Sequence, residues 1–242
     1  MARLARVVIP GIPYHLTHRG NRRGDVFYRD EDRQAYLRDL AAIANRYGLA
    51  IWGWCLMSHH VHLLAVPQPA AALAATIRLA HARHARRINA PRGWTGHLWA
   101  SRFFSTALDG AHLWTAIRYV ELNPVRAGLA ARAADYPWSS ARAHATGAAD
   151  PLLDPERPFA AGARDRLTGR PLAWSEWLAR GLGAEEAEAI RQATRTGRPL
   201  GDAAFVARLE RDLARPLAPQ KRGPKPKNPP ETEVLDLLNA RV

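Results

Sequence analysis

The sequence predicts an α+β fold in which helices cover an antiparallel sheet. Two observations predict it. Short alternating or continuously apolar runs, which are typical of strands, are interleaved with longer stretches in which apolar residues recur at helical spacing. These runs follow one another as strand, helix, hairpin, helix, strand and helix, the order that an antiparallel sheet covered on one face by helices produces.

The first strand and the first helix are indicated by alternation and by capping residues. Residues 11–19 alternate, and this places two sets of side chains on opposite faces: Tyr14, Leu16 and His18 on one, and His15, Thr17 and Arg19 on the other. A polar, basic turn over residues 21–24 follows. Asp30 is a good helix N-cap and Gly48 a good C-cap, and apolar residues between them recur at helical spacing. A strand and a long helix are therefore expected.

The next elements are a hairpin, a helix, a fourth strand and a last helix. Apolar runs at 49–57 and 60–66 meet at Ser58 and His59, which predicts a β-hairpin that Pro67 ends. Residues 71–89 have helical composition and a basic face. Residues 97–109 predict a turn and a strand, and residues 111–128 a helix with an apolar stripe. The whole order suits a ferredoxin-like α+β sandwich.

Changes in composition divide the chain into three predicted segments. Residues 1–145 hold the sheet and its helices. Residues 146–215 carry short amphipathic pieces joined by Pro-, Gly- and Arg-rich connections, which indicates a small helical appendage. Residues 216–242 begin PLAPQKRGPKPKNPP and have too few apolar side chains at the start to fold, so a flexible, basic C-terminal tail is expected.

The charge balance indicates a polyanionic partner. The 242 residues include 35 Lys and Arg against 22 Asp and Glu, which gives a net charge of +13 and a pI near 11.0. Nucleic acid is expected before an acidic membrane surface. Cys55 is the single cysteine, which excludes an internal disulfide framework and a Cys-cluster zinc site. No secretory signal or stretch of roughly 18 apolar residues is found, so a cytoplasmic protein without a membrane partner is expected.

Three histidines interrupt the apolar run of the hairpin. His60 and His62 are two residues apart, so their side chains share one face of a strand, whereas His59 points to the other face. Two imidazoles aimed at one point suit a divalent cation. Two hydrogen-bonded histidines at a strand edge would give the same pattern, and the spacing alone does not separate the two interpretations.

A second candidate group lies on the last helix of the sheet segment. Tyr119 and Asn123 are four residues apart and share a helical face. Asn123 could give its amide oxygen to a hard cation with the phenolic oxygen of Tyr119 close by, and Arg118 and Arg126 could engage phosphates. The alternative is that Tyr119 packs in the core and Asn123 is a polar helix end before Pro124.

Together these motifs resemble the IS200-like single-tyrosine (HUH) transposases, and within them the REP-associated tyrosine transposase branch. MSHHVHLL and RYVELNPVRAGLA carry the resemblance, and YHLTHRGNRR, LWASRFFSTALD, YPWSSARAH and GRPLGDAAFVARLERDL extend it in order. By resemblance, His60 and His62 match the paired metal ligands, Tyr119 the nucleophile and Asn123 the third ligand. Many IS200-like enzymes have Gln at the last position, and Asn favours the REP-associated branch. Ser58 and His59 depart from the Pro-Asn that is common before the first ligand.

The resemblance implies an enzyme of DNA transposition and recombination. It implies metal-dependent cleavage and rejoining of single-stranded hairpin DNA, a REP-type palindrome, through a covalent 5′-phosphotyrosine and a free 3′ hydroxyl. It also implies Mg²⁺ or Mn²⁺, no small-molecule cofactor, and a monomer rather than a dimer. Two alternatives stay open: a domesticated protein that binds repeat DNA with little or no cleavage, and a metal-dependent phosphohydrolase that would not need Tyr119.

Basic side chains along the chain are candidates for holding DNA, because a single strand is gripped by cationic grooves and aromatic stacking. The candidates are Arg19, Arg22, Arg78, Arg83, Arg87, Arg118, Arg126, Lys221, Arg222 and Lys225. Each of them could equally be solvated surface. The tail motif KRGPKPK resembles basic minor-groove hooks, and the helical appendage is expected to help recognise the DNA.

Overall fold

A four-stranded antiparallel sheet organises the protein. The structure is a computed structural model that describes residues 6–159, 162–164 and 171–217. The strands are β1 (Tyr14–Arg19), β2 (Leu49–Met57), β3 (His60–Pro67) and β4 (Phe104–Ala107), in the order β2-β3-β1-β4 with every neighbouring pair antiparallel. The predicted ferredoxin-like α+β fold, including the β2–β3 hairpin, is confirmed.

Helices fill the connections and the C-terminal part of the described chain. They are α1 (Asp30–Tyr47), α2 (Ala72–Asn89), α3 (Gly110–Glu121), α4 (Asn123–Arg126), α5 (Ala141–Thr146), α6 (Trp174–Ala179), α7 (Ala184–Thr196) and α8 (Ala203–Leu213). Short 3₁₀ turns occur at Asn21–Arg23, Ala90–Arg92 and Ala133–Asp135, and β5 (Ala163–Arg164) pairs with β6 (Pro171–Leu172). Among the described residues, no helix has both the length and the apolar character needed to cross a membrane.

The start of α1 differs by one residue from the prediction. Arg29, not Asp30, is the N-cap, and Asp30 is the first helical residue. The carboxylate that caps the helix belongs to Asp32, which accepts hydrogen bonds from the backbone N–H groups of Tyr28 and Arg29 at 3.1 and 3.0 Å. Gly48 ends the helix at φ 70°, as predicted.

Helices lie on both faces of the sheet, whereas the sequence predicted one covered face. On one side α1 and α2 pack on side chains such as Leu56 and Leu63. On the other side α3 packs on Cys55 and Leu64. The reason is visible in β3, whose eight residues are all buried: a continuously apolar strand needs cover on both faces.

Gly53 lets α3 approach β2 closely. A Cβ built at this position would lie 2.3 Å from Cδ1 of Ile117, which is closer than two carbon atoms can pack. A glycine inside a strand often marks such a close approach. Gly53 therefore leaves room for the Ile117 side chain of α3 against β2, and Tyr119 lies two residues after Ile117 in the same helix.

The helices of the predicted appendage also pack on the sheet. α7 contacts β1, β4 and α3, and the backbone N–H of Leu200 donates to the carbonyl of Ala107 in β4 at 2.8 Å. In α8, Phe205 and Leu209 are buried in the same apolar cluster as α1 and α2. Leu217, at the start of the predicted tail, is buried as well, and the rest of that tail lies outside the described residues.

Candidate active site

His60 and His62 lie side by side on the face of β3 that α3 covers. Their rings are 4.8 Å apart between centroids and nearly perpendicular, at 83°. The β1–β3 register sets Arg19 opposite His60 and Thr17 opposite His62. Both histidines are buried. The shared face that their spacing predicts is therefore present, and β1 contributes the neighbouring side chains.

Tyr119 reaches these histidines from α3. The centroid of its ring is 5.7 Å from that of His62, with the rings at 83°. Asn123 is not on the same continuous helix as predicted, because α3 ends at Glu121 and a separate short helix, α4, begins at Asn123. Pro124 explains the break, since it has no N–H to donate to an earlier carbonyl. The Asn123 side-chain amide still lies one turn from Tyr119 and donates to its carbonyl at 3.3 Å.

The two histidines and Asn123 suit a divalent cation. His60 Nδ1 is buried and has no hydrogen-bond partner among the described residues. Burial, then the neighbouring His59 and Arg19, lower the pKa of His60 to about 3, and burial also holds the pKa of His62 well below its usual value. Both rings are therefore neutral at pH 7, as a metal ligand requires. The Asn123 hydrogen bond uses an amide N–H and leaves the oxygen, which hard cations prefer.

These three side chains are too few to fill all the coordination positions of a metal ion. Among the described residues, no group of three or more His, Cys, Asp or Glu side chains could hold a metal ion. Two imidazoles and one amide would leave coordination positions open for a substrate oxygen and water. That is the arrangement expected of a catalytic cation rather than a structural one.

His15 is a site residue that sequence reasoning did not select. Its Nε2 lies 2.9 Å from Nδ1 of His62, and its Nδ1 lies 2.8 Å from Oγ1 of Thr194 in α7. The His15 and His62 rings are nearly parallel, at 8°. Burial, followed by the charge of Arg126, lowers the pKa of His15 to about 3. The alternation of β1 put His15 on the correct face, but only the β1–β3 register shows that it meets His62.

Two arginines place positive charge beside Tyr119. The Cζ atom of Arg126 lies 4.1 Å from the centroid of the Tyr119 ring. Arg191, from α7, is close enough that Tyr119 contributes to raising its pKa, after the larger effect of its hydrogen bond to Glu188. Arg118 turns away from this group, with its Cζ atom 4.2 Å from the ring centroid of Trp177. Sequence reasoning chose Arg126 and missed Arg191.

The remaining basic candidates are spread over the surface. Arg19 and Arg22 are exposed near the end of β1. Arg78, Arg83 and Arg87 are exposed on α2, on the opposite side of the sheet from Tyr119. The last two contact Asp39 of α1, at 3.6 and 2.8 Å. Lys221, Arg222 and Lys225 lie outside the described residues. His59 lies in the turn before β3, with its ring 4.4 Å from that of His60.

Comparisons with known proteins bear on the family of the chain and on its fold. The sequence model of a family described as "Transposase IS200 like" matches residues 9–123, and no curated protein matches the chain significantly. A solved structure of a REP-associated tyrosine transposase bound to a REP hairpin is similar, with a TM-score of 0.51 and 19% identity over 71% of this chain and 99% of that chain. A candidate transposase from Deinococcus radiodurans R1 aligns at a TM-score of 0.36 and 22% identity, over 50% of this chain and 96% of that chain.

The family match covers the elements that build the site. The matched segment contains β1 to β4 and α1 to α3, and it ends at Asn123. The REP-associated structure supports the fold, whereas the TM-score of the Deinococcus protein is too low to support an argument. Arg191 and Thr194 lie beyond the matched segment. The resemblance read from the sequence motifs is confirmed for this segment: residues 9–123, just under half of the chain, match the IS200-like transposase family model.

Proposed function

We propose that the protein is a metal-dependent DNA strand transferase that uses Tyr119 as its nucleophile. One observation carries the proposal: the Tyr119 ring packs against His62, beside His60 and Asn123, with the guanidinium of Arg126 over the ring. A protein that only binds DNA has no chemical use for this combination. A hydrolase that activates a water molecule would not need the tyrosine.

The reaction that these residues support is a transesterification. The Tyr119 oxygen attacks a backbone phosphorus, the Tyr–O–P bond forms, and the bond from phosphorus to the 3′ oxygen breaks. The proton of the phenol passes to solvent, and the departing 3′ oxygen takes up a proton to become a free hydroxyl. The 5′ phosphate stays on the protein as an ester, so a later attack by a 3′ hydroxyl can reseal a strand without ATP.

Each side chain has a defined part in that step. His60, His62 and Asn123 would hold a Mg²⁺ or Mn²⁺ ion, which supplies Lewis-acid polarisation of a phosphate oxygen when bound. Arg126 lies over the Tyr119 ring and, with Arg191, would place positive charge where negative charge develops on the phosphate. Arg19 extends from the same face of the sheet, where it can contact the flanking backbone.

The proposed substrate is single-stranded DNA that folds into a hairpin. The net charge of +13 favours a polyanion, and the similar REP-associated transposase was solved with a REP hairpin. We propose the same substrate class here, with Arg19 and Arg126 in contact with the DNA nearest to Tyr119. The other basic candidates of the sheet segment lie further from Tyr119 and would contact other parts of the hairpin, with help from the appendage and the tail. The proposed catalytic groups meet within one chain, and we propose that the protein acts as a cytoplasmic monomer.

The test is formation of a covalent protein–DNA adduct. Purified protein is mixed with a labelled oligonucleotide that carries the palindromic repeat of its own genomic neighbourhood, with Mn²⁺ or with EDTA, and the products are separated on a denaturing gel. We expect an adduct that needs the metal and disappears in Tyr119→Phe. Tyr47→Phe is the matched control, because Tyr47 lies at the end of α1, on the opposite face of the sheet.

Two other results would replace the proposal. Binding without cleavage under any divalent metal would favour the domesticated repeat-binding protein. Cleavage that persists in Tyr119→Phe would exclude the tyrosine mechanism and favour hydrolysis by an activated water molecule.

A further inference from the structure

We infer that Thr194, through His15, positions the proposed metal ligand His62 and sets which of its ring nitrogens carries the proton. The inference rests on the proposed function, because it concerns a ligand of the proposed cation. Thr194 belongs to α7, well beyond the family-matched residues 9–123. It would make the C-terminal appendage part of the active site and not only an aid to DNA recognition.

A continuous hydrogen-bonded chain links α7 to the ligand. Thr194 Oγ1 lies 2.8 Å from His15 Nδ1, and His15 Nε2 lies 2.9 Å from His62 Nδ1. All three side chains are buried, so each of these bonds forms in the absence of competing water. Since His62 Nδ1 is taken by His15, Nε2 is the nitrogen that remains for a cation.

The protons of the hydrogen-bonded series Thr194–His15–His62 can be arranged in two ways, and only one of them lets His62 bind a metal ion. A neutral imidazole has one N–H donor and one acceptor nitrogen. If His62 Nδ1–H donates to His15 Nε2, then His15 Nδ1–H donates to Thr194 Oγ1, and the lone pair of His62 Nε2 is available. In the reverse order Thr194 donates to His15 and His15 donates to His62, which leaves a proton on His62 Nε2. Binding of a cation therefore requires Thr194 to act as the acceptor.

The position of Thr194 is fixed by the packing of α7. The helix contacts β1, on which His15 lies, and it also contacts β4. Gly197, at φ 74°, ends α7 one residue past Thr196, and the following chain then pairs with β4 through the Leu200–Ala107 hydrogen bond. Backbone contacts of the residues that follow Thr194 therefore hold its hydroxyl in place. A group that orients a metal ligand has to be held in this way.

The variants that test the inference are Thr194→Val and Thr194→Ser. Valine keeps the shape but removes the acceptor, so the metal-compatible order would leave a buried His15 N–H without a partner. Serine keeps the hydroxyl. Thr196→Val is the matched control on the same helix, because the partners of the Thr196 hydroxyl among the described residues are the backbone carbonyls of Gln192 and Ala193.

The primary measurement is Mn²⁺ affinity of the full-length protein, from the electron paramagnetic resonance signal of the unbound ion. We expect Thr194→Val to weaken binding by about 10-fold, the lower end of the loss caused by removing a direct hydrogen-bond partner of a metal ligand, because Thr194 acts through His15. Thr194→Ser and Thr196→Val should bind as the wild type does. A ¹⁵N NMR spectrum with diamagnetic Mg²⁺ should show His62 protonated at Nδ1, and thermal melting would show that Thr194→Val is folded.

The outcomes separate this inference from the proposed function. If Mn²⁺ binding requires His62 but Thr194→Val binds as tightly as the wild type, the inference is wrong and the proposed function stands. The inference is also wrong if Thr194→Ser loses affinity as Thr194→Val does, since the hydroxyl is then not the cause. If His62→Ala leaves Mn²⁺ binding unchanged, both the inference and the proposed metal site are wrong.

Discussion

The indole of Trp174 donates a hydrogen bond of 2.7 Å to the fully buried carboxylate of Glu121. This bond joins α6 to the last residue of α3, the helix that carries Tyr119. The other oxygen of Glu121 accepts from the Ser140 hydroxyl and from His144 Nδ1, each at 2.6 Å. Three donors from two parts of the chain therefore converge on one carboxylate, two residues from the proposed nucleophile.

Replacing Glu121 by Gln should destabilise the fold. An amide can accept at only one of its two ends, so at least one donor would face an NH₂ group in the interior. We expect the free energy of unfolding to fall by about 1–3 kcal/mol, measured by urea denaturation. Glu176→Gln, on the exposed side of α6, should change it by less than about 0.5 kcal/mol. Equal stability of the two variants would contradict this account of Glu121.

Stability should also depend on pH through histidines on the opposite side of the sheet. His84 bonds to the Val26 carbonyl at 2.7 Å, and burial lowers the pKa of His84 to about 4. The pKa of His81 is lowered as well, first by burial and then by His18. Such groups stay neutral in the folded protein but take up protons in the unfolded chain, where their pKa is about 6.5. Stability is therefore fully present above pH 6.5 and is lost as the pH falls towards 4.

Urea denaturation at pH 7, 6 and 5 would measure this loss. His84→Gln keeps a hydrogen-bond donor near Val26 but cannot titrate. Between pH 6 and pH 5, its unfolding free energy should therefore fall less than that of the wild type, by up to about 1.4 kcal/mol per pH unit. His97→Gln, at an exposed position, serves as the control and should keep the slope of the wild type. A slope unchanged in His84→Gln would mean that His84 is not one of the responsible groups.

The sequence predicted those parts of the fold and site that depend on local periodicity. Alternation placed His60 and His62 on one face, and helical spacing placed Asn123 one turn from Tyr119, although Pro124 breaks the helix between them. Contacts between distant segments could not be read in this way. His15 and His62 are 47 residues apart and Thr194 is 179 residues from His15. Their meeting depends on strand register and on the docking of α7, which no local pattern encodes.

Arg126 provides a direct test of the charge beside Tyr119. Its guanidinium lies over the ring within cation–π distance, with Cζ 4.1 Å from the centroid. We expect Arg126→Ala to slow adduct formation by about 100-fold at saturating DNA, by analogy with loss of one group that stabilises transition-state charge. The rate of adduct formation in Arg126→Lys should lie between those of the wild type and Arg126→Ala, because an ammonium keeps the charge but cannot stack as a planar group.

Single-turnover gel assays would give these rates. Arg46→Ala is the control, since Arg46 is exposed near the end of α1, and it should react as the wild type does. If Arg126→Ala changes only the concentration of DNA needed for saturation, Arg126 binds substrate and does not assist the chemical step.

Gly53 tests whether the close approach of α3 to the sheet positions the proposed nucleophile. A methyl group here would lie 2.3 Å from Ile117 Cδ1. Because Ile117 is fully buried, its side chain has little room to rotate away, and we expect Gly53→Ala to displace α3 from β2. We expect a loss of about 1–3 kcal/mol in unfolding free energy together with slower adduct formation, because Tyr119 moves with the helix. Gly110→Ala is the matched control: it lies at the start of α3, and a Cβ there meets nothing within 4 Å. A Gly53→Ala variant that loses stability but forms the adduct at the wild-type rate would show that the height of α3 above the sheet does not set the reactivity of Tyr119.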